Sequence, residues 1–216
     1  MTNFRIPVTV VDNFWEDPHS LVSFSKQVSY DEKGNFPGIR ARLDHTNLFQ
    51  PVINKVISYF AFVNESTTWQ ASLAFQITNS ELRKGWVHLD NDALFAFILY
   101  LDENPDPDSG TSIFSRNTYN HDVETQEVKQ LKRNAQNDSL LLDENYFDTM
   151  DRFNSQFTET MEVKNVFNRI LIFDSSTYHG VKKFVDDRLT MVGFINRLSA
   201  RKYYPCLLYT SDAADE

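Results

Sequence analysis

The sequence predicts a mainly β domain with flanking helices, a sandwich or barrel. Three observations carry this reading. Short segments rich in Val, Ile and Phe are punctuated by Pro, Asp and Gly turn signals. Aromatic residues are abundant, with eighteen Phe and nine Tyr against six Gly. The two clear helical patterns lie together near the N-terminus instead of alternating with strands, and no Gly-rich phosphate loop is present, which argues against a doubly wound α/β fold.

Taken in order, "IPVTVVDNF" alternates and is rich in Val, an opening strand. "EDPHSLVSFSKQVS" has acids and Pro at its start and apolar residues at helical spacing, a first helix. "DEKGNFPGIRAR" reads as a loop, punctuated by Gly34, Pro37 and Gly38. "FQPVINKVISYFAFV" places Val52, Ile53, Val56, Ile57 and Phe60 on one stripe, a second amphipathic helix. These two helices are expected to cover one face of the strands downstream. "TTWQASLAFQIT" begins those strands, and "ALFAFILYL" is an almost continuous apolar run suited to a central strand buried on both faces. "ENPDPDSGT" supplies a turn and "TSIFS" resumes extended chain. Residues 121–155 read as a polar helical insertion, expected mainly as solvated surface, with a mobile lid as the second reading. "FTETMEVK", "NRILIFD" and "RLTMVGFIN" are three closing strands.

A chain of 216 residues supports one good core, so a single domain over residues 1–205 is expected. The formal charge of −9 argues against a general nucleic-acid binder. The most basic stretch, "QEVKQLKR", reads as a solvated helix face. No segment approaches the roughly 20 apolar residues a membrane helix needs, and the N-terminus lacks a signal peptide's basic-then-apolar order, so the expected location is cytoplasmic. Residues 206–216, "CLLYTSDAADE", match a reading frame of a transposon-end adapter used in sequencing libraries and are read as a translation artefact. Without them Asp212, Asp215 and Glu216 are lost and the charge becomes −6. Cys206, the single cysteine, goes too, leaving no thiol chemistry.

The chemistry is concentrated in "GWVHLDNDALFAFILYLDENPDPDSGTSIF". A His-x-Asp pair alone is weak, since chance supplies about 0.4 in a chain of this composition. Its context adds support. In extended chain His88 and Asp90 project to the same side and can reach one ion. A third ligand is available in His179, after the apolar "NRILIF". Two His and one carboxylate on one face of a metal leave the opposite face open, the arrangement of non-haem Fe(II) oxygenases. Nine residues later Arg188 opens the last strand with Thr190 on the same face, a pair suited to gripping a carboxylate. Asp92 reads as a surface or outer acid and Trp86 as core or pocket wall.

The ordered set His88-x-Asp90, "FAFILYL", "GTSIF", "ILIFDSSTYHGV" and Arg188-x-Thr190 resembles the Fe(II)/2-oxoglutarate-dependent dioxygenase superfamily. Within it the chain is similar to small prolyl-4-hydroxylase-like members, including uncharacterised phage and marine bacterial forms that share "VVDNFWEDP" and "FPGIRAR". The resemblance spans most of residues 6–196. It implies a double-stranded β-helix (jelly roll, cupin-like), with His88, Asp90 and His179 as iron ligands. Arg188 and Thr190 would bind the distal carboxylate of 2-oxoglutarate, with Gln76 or Tyr100 as a further co-substrate contact. It also implies consumption of O2 and 2-oxoglutarate to hydroxylate a C–H bond of a protein, peptide or small molecule. One departure stands out: Ser109-Gly110 occupies a place where many relatives have two glycines, which bears on the turn.

Blander readings compete. His88 and Asp90 can be a polar strand end, His179 a hydrogen-bonded loop histidine, and Arg188 a partner of Asp186 or Asp187. Two other functions stay open: a cupin-type metalloenzyme without 2-oxoglutarate, which needs no carboxylate clamp, and a non-catalytic jelly-roll binding module, which needs no metal.

Overall fold

The β-branched and aromatic runs pair into two antiparallel sheets. The computed structural model describes residues 5–34, 36–90, 92–117, 125–137 and 142–204. Its strands are β1 (Thr9–Val11), β2 (Ile39–Arg42), β3 (Thr68–Thr78), β4 (Phe95–Tyr100), β5 (Thr111–Arg116), β6 (Phe157–Val163), β7 (Ile170–Asp174), β8 (Tyr178–Val181) and β9 (Arg188–Ser199). A six-stranded sheet has the order β1-β7-β4-β9-β3-β2, and a three-stranded sheet has the order β6-β5-β8. From β4 onward the chain passes between the sheets, so that they face one another as a double-stranded β-helix, the jelly roll expected. Tyr100 Oη donates to Thr111 Oγ1 across the gap at 2.9 Å.

The alternation of β4 explains both layers. Phe95, Phe97 and Leu99 enter the main core with Phe75, Met191 and Ile195. Against that core pack α1 (Pro18–Ser25) and α2 (Phe49–Ser58), through Leu21, Val22, Val52, Ile53, Val56 and Ile57. Ala96 and Tyr100 lie on the opposite, inter-sheet side with Leu171 and Phe173. β4 is therefore buried on both faces, as its apolar run requires. Asp17 caps α1 by accepting from the Ser20 amide, with Pro18 at the first turn.

Two segments differ from expectation. The stretch read as a loop contains β2, whose Arg40 pairs in register with Gln76 of β3; Pro and Gly punctuation precedes the strand, and four residues are too few for their alternation to outweigh it. The Ser/Thr turn before His179 runs straight into β8, which pairs with β5.

The insertion is a third correction. Its helices α3 (Gln126–Asn137) and α4 (Glu144–Asn154) form, but they are not merely solvated. Tyr146, Phe147, Met150 and Phe153 are buried with Trp86 and Ala135, and Lys132, within the basic stretch, is 6% exposed. One apolar stripe of α4 among acidic and amide residues suffices to anchor it. His121 and the segment 206–216 lie outside the described residues. No helix among the described residues is long and apolar enough to cross a membrane.

Candidate functional site

His88 and His179 meet through their backbones. The chain before β4 runs antiparallel to β8: His88 N–H donates to His179 O at 2.9 Å and His179 N–H to His88 O at 3.0 Å. Gly85 permits this approach, because a Cβ there would lie 2.8 Å from the Val181 nitrogen. Its own amide donates to Val181 O at 2.7 Å. From α4, Asn154 clamps the free edge: its Oδ1 accepts from Val87 N–H at 2.9 Å and its Nδ2 donates to Gly85 O at 3.0 Å. Asp90 is turned in by its amide, which donates to Ser175 O.

The three side chains converge. One ligand atom from each of His88, Asp90 and His179 lies within 4.8 Å of the others. Asp90 Oδ1 is 3.9 Å from His88 Nε2, and Oδ2 is 3.5 Å from His179 Nε2. Each imidazole points Nδ1 at a backbone carbonyl, His88 to Trp86 O at 2.9 Å and His179 to Thr177 O at 3.0 Å. A carbonyl only accepts, so Nδ1 carries the proton and both Nε2 lone pairs face Asp90. His179 is 6% exposed and backed by Phe173, whereas the His88 side chain is 45% exposed at the mouth. Surrounding protein and the neighbouring His179 push the His88 pKa down to about 4, so its imidazole is neutral at pH 7. Asp92 is exposed and uses its backbone carbonyl to accept from Asn196, apart from this cluster.

The cluster opens into a cavity of about 580 Å³ between the sheets. Its far end is polar. Arg188 is 2% exposed; its Nε donates to Ser109 O at 2.7 Å, while Nη2 has no partner. Thr190 Oγ1 beside it, and Thr78 Oγ1 opposite Arg188 in register, are also buried without partners. Such orphans cost free energy unless a ligand satisfies them. Asp186, the alternative partner for Arg188, accepts from Ser80 instead. Burial raises the Tyr100 pKa, keeping its hydroxyl a neutral donor. Gln76 lines the same cavity, with Oε1 accepting from Arg40 Nε at 2.9 Å and Nε2 donating to Pro37 O at 2.8 Å.

Ser109 fits where a second glycine was expected. It is fully buried, donates through Oγ to Asp106 O, and accepts from Asn165 Nδ2. Its carbonyl thereby stays fixed beneath Arg188. Gly110 has no such freedom, since a Cβ would lie 2.0 Å from Val163 O.

Of the residues singled out in the sequence, His88, Asp90, His179, Arg188 and Gln76 line the cavity, while Tyr100, its ring centroid 5.6 Å from Arg188 Cζ, and its register partner Thr190 lie behind that wall. Sequence reasoning missed Thr78, for which the signal existed: two places beyond Gln76, on the same strand face. It also missed Arg40 and the insertion's contribution. Trp86 is a wall, its Nε1 donating to Tyr146 Oη at 2.7 Å. Lys132 of α3 lies over the Trp86 and Phe153 rings, 4.7 and 5.1 Å from their centroids.

Comparison with known proteins agrees with this architecture. A model of the family of unknown function DUF6445 matches residues 1–195. No curated protein matches. Among solved structures, a Pseudomonas putida prolyl-4-hydroxylase is similar at 12% identity and TM-score 0.50, over 88% of this chain and 92% of that one. HygX from Streptomyces hygroscopicus, crystallised with nickel and 2-oxoglutarate, is similar at 14% identity and TM-score 0.50, over 87% and 82%. SnoK, a non-haem alpha-ketoglutarate-dependent carbocyclase from nogalamycin biosynthesis, is similar at 8% identity and TM-score 0.51, over 91% and 80%. At these identities the likeness is one of fold.

Proposed function

Because the chain belongs to the DUF6445 family, whose description assigns no activity, the function has to be argued from the site, and we propose an Fe(II)- and 2-oxoglutarate-dependent oxygenase that hydroxylates a C–H bond. The observation that carries the reading is a pairing within one cavity. A His-Asp-His cluster with its lone pairs converging lies at one part, and the buried Arg188 at another, its Nη2 without a partner, with the unpartnered hydroxyls of Thr190, two residues on, and Thr78, across the strand pair, in the same buried region.

The donor set fits a first-row divalent metal: two imidazoles and one carboxylate, which leave further coordination positions open. In this reading His88, Asp90 and His179 hold iron. Arg188 receives the distal carboxylate of 2-oxoglutarate through its free Nη2, and Thr190 donates its hydroxyl to the same group. Neutral Tyr100 and Gln76 shape that end, Gln76 by holding the neighbouring loop and strand. Bound iron and 2-oxoglutarate would supply, with O2, oxidative decarboxylation to succinate and CO2 coupled to oxidation of the substrate. The chain's own share is to fix three ligands, orient the co-substrate and exclude water with Trp86, Phe173, Phe184 and Phe194.

A cupin-type metalloenzyme without 2-oxoglutarate leaves Arg188, Thr190 and Thr78 without a role, and a non-catalytic module leaves the metal cluster without one. We further assign residues 1–205 to this one domain.

The deciding experiment is anaerobic addition of Fe(II) and 2-oxoglutarate to purified protein. A visible charge-transfer band of the chelate is expected, lost in His179→Ala. A folded, metal-binding sample that gives no band rejects the co-substrate.

A further inference from the structure

The cavity contains a second guanidinium, for which neither iron nor 2-oxoglutarate has a use. Arg40, Gln76, Thr190 and Tyr100 form one row across β2, β3, β9 and β4 on the inter-sheet face. Two strand spacings, roughly 9–10 Å, separate the Arg40 and Thr190 backbones. Arg40 therefore marks a different wall from Arg188. Its side chain leans toward Phe194, whose ring centroid is 5.4 Å from Cζ. Phe194 pairs with Ala96, and Ala96 with Phe173, the ring that backs His179 at 4.3 Å. The guanidinium thus reaches toward the level of the metal cluster from the β2 edge.

Arg40 is held still. Its Nε donates to Gln76 Oε1, and its Cζ lies 3.8 Å from the centroid of the Phe36 ring. That leaves the Nη edge, a planar two-donor fork, outside these contacts, on a residue that lines the cavity. No Asp or Glu oxygen among the described residues comes within 4.0 Å of it. Glu32 and Asp90 are the acids whose charge it feels at longer range, and Glu32 is 3.4 Å from Arg42 instead. Burial pushes the Arg40 pKa down to about 10, which leaves it charged at pH 7. Arg40 is half-buried, and a partly desolvated charge without a close acid gains from an anion brought beside it. Lys132, over Trp86, adds to the cationic character of the same cavity.

We propose that Arg40 is a specificity-determining residue that anchors a carboxylate of a small-molecule substrate beside the metal cluster. A substrate of this class carries its acid on one side and an apolar body against Trp86, Phe36 and Phe194. Gln76 and Phe36 are positioning residues for the fork. The substrate role rests on the oxygenase reading; the anion site itself does not.

The test uses hexanoate and hexanamide, which share an apolar chain and differ in charge, titrated calorimetrically into Zn(II)-loaded protein saturated with 2-oxoglutarate. Hexanoate should bind more tightly than hexanamide. Arg40→Gln, which keeps a donor for Gln76, should weaken hexanoate about tenfold or more, the scale of a lost charge-assisted pair. It should leave hexanamide and 2-oxoglutarate affinities unchanged, and Arg40→Lys should restore part of the preference. Equal binding of acid and amide, absence of hexanoate binding, or a wild-type hexanoate affinity in Arg40→Gln overturns the inference. A parallel loss of 2-oxoglutarate binding in Arg40→Gln also overturns it, since Arg40 then belongs to the co-substrate. If the iron chelate band is missing while hexanoate still depends on Arg40, the oxygenase reading fails and the anion site stands.

Discussion

His88 and His179 exchange both backbone hydrogen bonds, at 2.9 and 3.0 Å, and their ring centroids lie 4.2 Å apart. The backbone pair sets the ring separation before any metal arrives, and the Nδ1 contacts to Trp86 O and Thr177 O set the tautomers. Preorganised ligands need little reordering on binding. Removing one leaves two donors, so His179→Ala should weaken Zn(II) or Mn(II) binding by about 100-fold or more, the upper scale even for ligand-supporting partners. Equilibrium dialysis reads this; an unchanged dissociation constant in a folded variant removes His179 from the ligand set.

Arg188 and Thr190 make the opposite prediction. They touch no metal candidate, so Arg188→Ala should preserve metal affinity while severely weakening 2-oxoglutarate. Arg188→Lys should recover only part, because a point charge replaces a planar fork whose Nε is already committed to Ser109 O. Thr190→Val should have a smaller effect in the same direction. Titration of 2-oxoglutarate against the Mn(II)-loaded protein measures all three, and equal affinity in wild type and Arg188→Ala rejects the clamp.

What could be read from the sequence came from period and burial. β4 was legible because both of its faces are apolar, and α1 and α2 because their stripes meet one core. The converging His88, Asp90 and His179 were legible because they stand beside apolar strand runs. β2 was not, because its alternation, Ile39-Arg40-Ala41-Arg42, spans only four residues directly behind the turn signals Pro37 and Gly38. β8 was not, because four residues beginning after Ser-Ser-Thr carry too little pattern. The insertion misled because its surface is acidic, while what fixes it is a single stripe, Tyr146, Met150 and Phe153, under Trp86. Asn154 was invisible for a different reason: a half-buried amide that serves another segment's backbone leaves no local signal.

That amide yields the next prediction. Asn154→Ala leaves Val87 N–H and Gly85 O without their partners, at a cost of about 1–3 kcal/mol. Because those groups border His88, metal affinity should fall along with stability. Asn154→Asp keeps the acceptor for Val87 and loses the donor to Gly85, so it should be intermediate. Urea unfolding with parallel Zn(II) titration tests the coupling. A variant that loses stability but binds metal as wild type limits Asn154 to a structural part.

Acid should expose the environment of His88. Its folded pKa of about 4 lies below the ordinary 6.5, so between those values the unfolded chain binds more protons at this residue. Its contribution therefore favours the fold above about pH 6.5 and is lost progressively as pH falls toward 4. With the side chain 45% exposed, solvent screening trims the size but not the sign. Metal-free wild type should lose more thermal stability between pH 7 and 4.5 than His88→Gln, which carries no titrating group there. Melting curves at matched ionic strength measure the difference, and a steeper loss in His88→Gln contradicts the depressed pKa.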